Sequence, residues 1–147
     1  MEREEIMIKS TVGISLTLCG DDFDVQYVSN KLGIMPTQSR GKDEVLGNGR
    51  RFGMTEWSLE IEKECSYNIE NQYQKIMLLT QDKTSLLSEL CVECNARWYI
   101  SFVIYIENGD VPSPFLTKEF VAFAAAIGAS VDFDIYVLSA RQDGYGT

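Results

Sequence analysis

The chain has 147 residues, 45% of them apolar and 24% charged, which is one globular domain's worth of chain with an ordinary composition. No apolar run is long enough to span a bilayer, and the complete absence of histidine (0) removes the commonest general base, the commonest metal ligand and every nucleophile pair built on imidazole. With 13 basic against 22 acidic side chains the net charge is −9, which repels phosphate backbones, argues against direct nucleic-acid binding and draws in a cationic partner.

Residues 1–147 read as a single domain, with 1–9 and 140–147 as loose termini. The opening Met1-Glu2-Arg3-Glu4-Glu5 has no basic region followed by a long apolar stretch, so the expected address is cytoplasmic. From Thr11 to Cys19 the chain alternates: Val12, Ile14, Leu16 and Leu18 are apolar, and the residues between are small or polar. Period two with β-branched residues predicts a half-buried strand. Gly20-Asp21-Asp22 is a turn, Asp22 or Asp24 caps a helix carrying Val25, Val28 and Leu32, and Gly33 ends it. Pro36 forces an extended exit.

Residues 38–55 are polar and glycine-rich and hold the one basic cluster of the sequence, Arg40, Lys42, Arg50 and Arg51. Asn48-Gly49 is a hairpin signal that would pair Glu44–Leu46 with Arg51–Gly53. Glu56–Glu64 predicts a second strand, with Trp57, Leu59 and Ile61 on one side. Ile69, Tyr73, Ile76, Met77 and Leu79 form one helical stripe, and Leu86, Leu87, Leu90, Cys91 and Cys94 form another after a break near Gln81-Asp82. Arg97–Ile106 alternates strongly as a third strand. Ser113 or Thr117 caps a helix whose run Phe120–Ala126 is apolar nearly all round, which predicts thorough burial. Gly128 ends it, and Val131–Leu138 is the last strand, with Val131, Phe133, Ile135 and Val137 on one side. A strand, helix, glycine and exit pattern occurs at 11–36 and again at 97–138, which leaves a duplicated half-fold open.

Together these elements predict an α+β two-layer sandwich: about four strands in a mostly antiparallel or mixed sheet, with about three helices packed on one face. Strand parity then names the uncovered face: Thr11, Ser15 and Thr17; Glu56, Ser58, Glu60 and Glu62; Tyr99, Ser101, Val103 and Tyr105; Asp132, Asp134 and Tyr136. One reading is a solvated sheet face with cross-strand tyrosine contacts. The other is a binding face, because tyrosine gives contact area at low entropic cost and carboxylates select a basic partner.

Catalytic chemistry finds little support. Cys91-Val92-Glu93-Cys94 has CxxC spacing, but it lies at the C-terminal end of a helix, where the dipole disfavours a thiolate. Cys19 and Cys65 are too isolated to complete a zinc site, so buried structural thiols are expected and no metal or cofactor. Gly41-Lys42-Asp43 fails the phosphate-loop pattern, although Arg40, Lys42, Arg50 and Arg51 remain a candidate anion-binding set beside Trp57, or a solvated hairpin tip. Glu60 with Glu62 and Asp132 with Asp134 are same-side carboxylate pairs, but an open sheet face supplies neither the cleft nor the raised pKa that acid–base catalysis needs. No enzyme and no catalytic residue is expected.

With Cys19–Thr37, Thr55–Glu62 and Phe120–Leu138 in view, the sequence resembles a bacterial family known as domain of unknown function four-two-seven-nine. The resemblance is carried by Asp22, Phe23, Leu32, Gly33, Ile34, Pro36, Thr37, Trp57, Gly128, Ala129, Asp132, Asp134 and Tyr136, with Leu-Gly-Ile-x-Pro-Thr its most specific segment. The family brings no activity with it. Small acidic proteins of this kind also resemble the immunity partners of bacterial toxins, including contact-dependent toxins with nuclease domains. That resemblance adds weight to the binding-face reading and implies a cytoplasmic immunity protein that neutralises a basic toxin domain; the face itself then names Glu60, Glu62, Tyr99, Tyr105, Asp132, Asp134 and Tyr136 as the expected contacts. The alternative is a small-molecule or regulatory binding domain that uses the Gly/Arg-rich loop 40–53.

Overall fold

Strand alternation, helix caps and glycine stops set the element order seen in the computed structural model, which describes residues 9–45, 47–49 and 53–138. The elements are β1 (Thr11–Gly20), α1 (Val25–Leu32), β2 (Gln38–Arg40), β3 (Thr55–Cys65), α2 (Glu70–Leu79), α3 (Thr84–Cys94), β4 (Ala96–Glu107), α4 (Lys118–Ala126) and β5 (Ser130–Leu138). They build an α+β sandwich with a mixed sheet in the order β2-β3-β1-β4-β5. β1 lies at the centre, antiparallel to both β3 and β4. β4 and β5 are parallel and joined through α4, because parallel neighbours need a crossover connection.

Among the described residues the sheet has five strands, one more than the alternation predicts. The extra strand, β2, pairs only Gln38, Ser39 and Arg40 with Ser58, Trp57 and Glu56. Three polar residues are too few to show a period. Of the hairpin expected from Glu44–Leu46 and Arg51–Gly53, Leu46, Arg51 and Phe52 fall outside the described residues, as do most of both termini. The repeated strand–helix pattern builds two different connections: β4 and β5 are neighbours, whereas β3 lies between β1 and β2.

The helix boundaries follow from their caps. Asp24 Oδ1 accepts the Gln26 N–H at 2.9 Å, and Gly33 closes α1 in the left-handed region at φ 68°. Thr117 Oγ1 accepts the Phe120 N–H at 3.1 Å at the start of α4. Between α2 and α3 the chain turns through Asp82 at φ 65°, which separates the two apolar stripes into two helices.

The four helices among the described residues lie on one face, and aromatic rings fasten them to it. Trp57 and Trp98 meet edge-to-face, with centroids 5.9 Å apart and planes at 86°. Both are fully buried, and each indole N–H reaches into the helix layer: Trp57 donates to Ser29 Oγ of α1 at 2.9 Å and Trp98 to the Leu87 carbonyl of α3 at 2.7 Å. Tyr73, Phe102 and Phe120 form a second cluster. The Tyr73 hydroxyl donates to the Phe115 carbonyl at 3.2 Å and accepts the Thr117 N–H at 3.0 Å, so its polar end is satisfied. Outside this core, Lys31 of α1 bridges Glu89 and Glu93 of α3 at 2.9 and 2.8 Å, and the Tyr27 hydroxyl donates to Glu93 at 2.9 Å.

α4 departs from its sequence pattern. An apolar surface nearly all round predicts thorough burial, but only Phe120 and Ala124 within the helix are buried, joined by Ile127 just beyond it, and Val121 is exposed. α4 packs against α2 and α3 at a margin of the helix layer. Composition tells how apolar a helix is, but not how many neighbours it has. The apolar side of β5 is also incompletely covered: Phe133 stacks on Phe102 at 4.9 Å, yet Phe133, Ile135 and Val137 remain exposed.

Ser29→Ala should lower the unfolding free energy by about 1–3 kcal/mol, because the buried Trp57 N–H loses its acceptor without regaining water. Trp57→Phe should then cost less in the Ser29→Ala background than in the parent, as read by urea denaturation. Strictly additive losses would show that the bond contributes nothing. Lys31, and after it Tyr27, hold the Glu93 carboxyl below its ordinary 4.5 by hydrogen bonding. A carboxyl lowered on folding adds stability above its unfolded value and loses it as pH falls through the folded one. The stability deficit of Glu93→Gln should therefore be whole at neutral pH and should shrink below about pH 4.5.

Candidate interaction face

On the side of the sheet away from the helices, the registers arrange the polar side chains in rows. Glu60, Ser15, Ser101 and Asp132 lie side by side across β3, β1, β4 and β5. Val103 separates Gly13 from Asp134 in the next row, and Thr11, Tyr105 and Tyr136 make the row after that. In the other direction, Ser58, Thr17, Tyr99 and Ser130 align, and Thr17 and Ser58 share a hydroxyl hydrogen bond at 2.8 Å. Three strand spacings place the backbones of Glu60 and Asp132 about 14 Å apart.

The face therefore has two acidic rims, Glu60 with Glu62 on β3 and Asp132 with Asp134 on β5. Between them runs a floor of Gly13, Ser15, Ser101 and Val103. All four rim carboxylates are exposed. Tyr105 and Tyr136 stack at 5.1 Å with planes 18° apart and close one end of the floor, while Tyr99 stands beyond the other end of the Ser15–Ser101 row. All seven expected partner-binding residues lie on one surface, as strand parity predicts, and the strand order separates their acids into two rims on strands that do not touch.

Parity fails at one place. A bulge interrupts the β1–β3 register between Val12 and Ile14, so that Val12 pairs with Glu64. Beyond it Glu64 turns to the helix side, where it accepts from Gln72 at 3.1 Å and pairs with Lys75, whose ammonium holds the Glu64 carboxyl below its ordinary value. Lys63 turns to the open side, its ammonium 4.4 Å from the Tyr105 ring centroid. Gly13 permits the arrangement: a Cβ there would come within 3.3 Å of Lys63 Cβ. Above Gly13 lies a shallow depression of about 250 Å³ lined by Ser15, Glu60, Glu62, Lys63, Val103 and Tyr105, among others. Sequence reasoning missed Lys63. A glycine inside an alternating strand was the signal for a bulge.

The basic loop is distributed differently. Arg40 lies on β2 in register with Glu56, and with the Gln38 amide turned so that its oxygen faces the guanidinium, Gln38 accepts two hydrogen bonds from Arg40 at 2.7 and 3.2 Å. Lys42 pairs with Asp21 at 3.1 Å, and that hydrogen bond raises its pKa. Arg50 and Arg51 lie outside the described residues.

The CxxC cysteines close α3 at its C-terminal end. Cys94 is buried, Cys91 is half-buried with its thiol donating to the Ile127 carbonyl at 3.6 Å, and burial raises the pKa of both. Among the described residues no group of three or more cysteines and carboxylates is arranged to hold a metal ion, and no helix is long and apolar enough to cross a membrane. With a thiol reagent at neutral pH, exposed Cys65 should react first and Cys91 and Cys94 should lag until urea is added. Equal native rates for Cys65 and Cys94 would refute that order.

No curated protein and no solved structure matches the chain. A family described as Domain of unknown function (DUF4279) matches residues 10–138, from the residue before β1 to the last residue of β5. That match spans the whole sandwich and both rims of the open face, and the chain belongs to this family.

Proposed function

We propose that the protein is an acidic interaction module, without catalytic activity of its own, that binds a basic protein across the open sheet face. The observation that carries this reading is the row Glu60–Ser15–Ser101–Asp132, with exposed carboxylates at both ends of an uncovered floor of small side chains. A basic segment laid across the strands would meet an acid at each rim, and Tyr99, Tyr105 and Tyr136 would supply flat contact area beside it. The net charge of −9 adds long-range attraction and speeds encounter.

In its most concrete form the partner is the basic toxic domain of a bacterial toxin, met and neutralised in the cytoplasm. The likeness to small acidic immunity proteins supports that version, as does the match between a charged, open surface and the need for fast capture. Rim charges act mainly on association rate and its salt dependence.

The test is a tagged pull-down from the native host at low salt, read by mass spectrometry, followed by association kinetics with the protein recovered. A basic protein near equal stoichiometry, lost at high salt, is expected. The double variant Glu60→Lys/Asp132→Lys should slow association about tenfold at low salt, with the difference collapsing at high salt. An association rate indifferent to ionic strength would overturn the reading.

A further inference from the structure

We infer that the outer edge of β5 is a docking line on which an extended segment of the partner, alternating basic and apolar residues, adds as a sixth strand. This rests on the interaction reading above and specifies how the partner engages one end of the face.

β5 ends the sheet, and among the described residues no strand pairs with its outer edge. Its nine residues span about 30 Å and pair with β4 without a register shift, so a straight row of backbone N–H and C=O groups faces outward. Exposed edges are ordinarily blunted by lysine, proline, bulges or shortness. The opposite edge strand, β2, is only three residues long. β5 has no lysine, proline or bulge along its length, and its charges, Asp132 and Asp134, oppose a second copy of this chain but not a basic strand.

Its two sides differ in character, and neither is covered. Phe133, Ile135 and Val137 point to the helix side with 38%, 55% and 75% of their surface exposed, while Asp132, Asp134 and Tyr136 point to the acidic face. A strand of period two matches both rows at once, with basic residues beside Asp132 and Asp134 and apolar residues beside Phe133, Ile135 and Val137. Charge favours such a partner over a second copy of this chain. Antiparallel pairing of β5 with itself, centred on Phe133, Asp134 or Ile135, sets aspartates directly or diagonally against aspartates, which is destabilising.

The test uses the full chain and a ten-residue peptide of alternating lysine and valine at millimolar concentration, read by amide hydrogen exchange. Strand addition should protect every second amide of residues 131–138, those pointing outward. Ile135→Lys and Asp134→Lys, both at exposed positions, should each weaken binding tenfold or more while leaving the circular dichroism unchanged. A peptide of the same composition sorted into a lysine block and a valine block should give no such protection. The inference falls if the alternating peptide fails to bind, if it binds without new β5 protection, or if the sorted peptide protects equally. It also falls if β5 amides in the protein alone gain protection as its concentration rises, which would make a second copy the occupant. Salt-sensitive capture of a basic protein that survives Ile135→Lys would overturn the edge while leaving the interaction reading in place. Loss of salt sensitivity altogether would overturn that reading itself.

Discussion

A strand at the centre of a sheet must satisfy two neighbours and two faces at the same time, and β1 is where these demands meet. Both of its edges are paired along nearly their whole length, so its register sets which residues of β3 and β4 share a row. On the helix side it presents Val12, Ile14, Leu16 and Leu18, all buried. On the other side it presents Gly13, Ser15 and Thr17. That choice of small residues leaves the middle of the open face low, with the longer acidic and aromatic side chains standing on the flanking strands. The shape of the candidate site is thus a by-product of how one strand divides its side chains.

Much of this was legible in the sequence, because the signals were local and strong. Period-two alternation located β1, β3, β4 and β5, and their parity assigned the open face. Asp22 or Asp24, Gly33, Ser113 or Thr117, and Gly128 marked helix ends through capping and left-handed turns, which depend on a few adjacent residues, and the caps prove to be Asp24 and Thr117. The break between α2 and α3 showed itself at Asp82. Other features needed information that no local pattern carries. β2 is held by hydrogen bonds to β3, and its three polar residues have no periodicity of their own. The exposure of α4 and of Phe133, Ile135 and Val137 depends on where the sheet stops. The two rims on the open face exist because β1 and β4 separate β3 from β5, a matter of strand order rather than of strand content.

The bulge at Gly13 shows how a single residue rearranges charge. Without it, continued alternation would keep Glu64 on the open face and turn Lys63 toward the helices. With it, Glu64 meets Gln72 and Lys75 on the helix side, and Lys63 rests on Tyr105 among the acids. Lys63 therefore puts a cation beside the acidic rim of β3, next to the depression above Gly13, in addition to Arg97, which the register sets on the same side beyond Tyr99. It gives that part of the face a local polarity that the net charge conceals. A partner that followed charge alone would favour the β5 rim, where Asp132 and Asp134 have no such neighbour across the row from Ser101 and Val103.

The central position of β1 also bears on how the chain is made. Of the five strands described, β1 is synthesised first, yet one of its two edges waits for β4, which pairs Gly20 with Ala96 and Thr11 with Tyr105. At ordinary elongation rates that wait lasts roughly 4–17 s. During it, β1 has at most β3 beside it, and the helices that cover its apolar side are still forming. Contacts so distant in sequence slow folding, because the connecting chain must be ordered before they reward it. A strand paired on both sides in the finished protein thus spends seconds with one edge open on the ribosome, where a chaperone or a neighbouring nascent chain would compete with β4 for it.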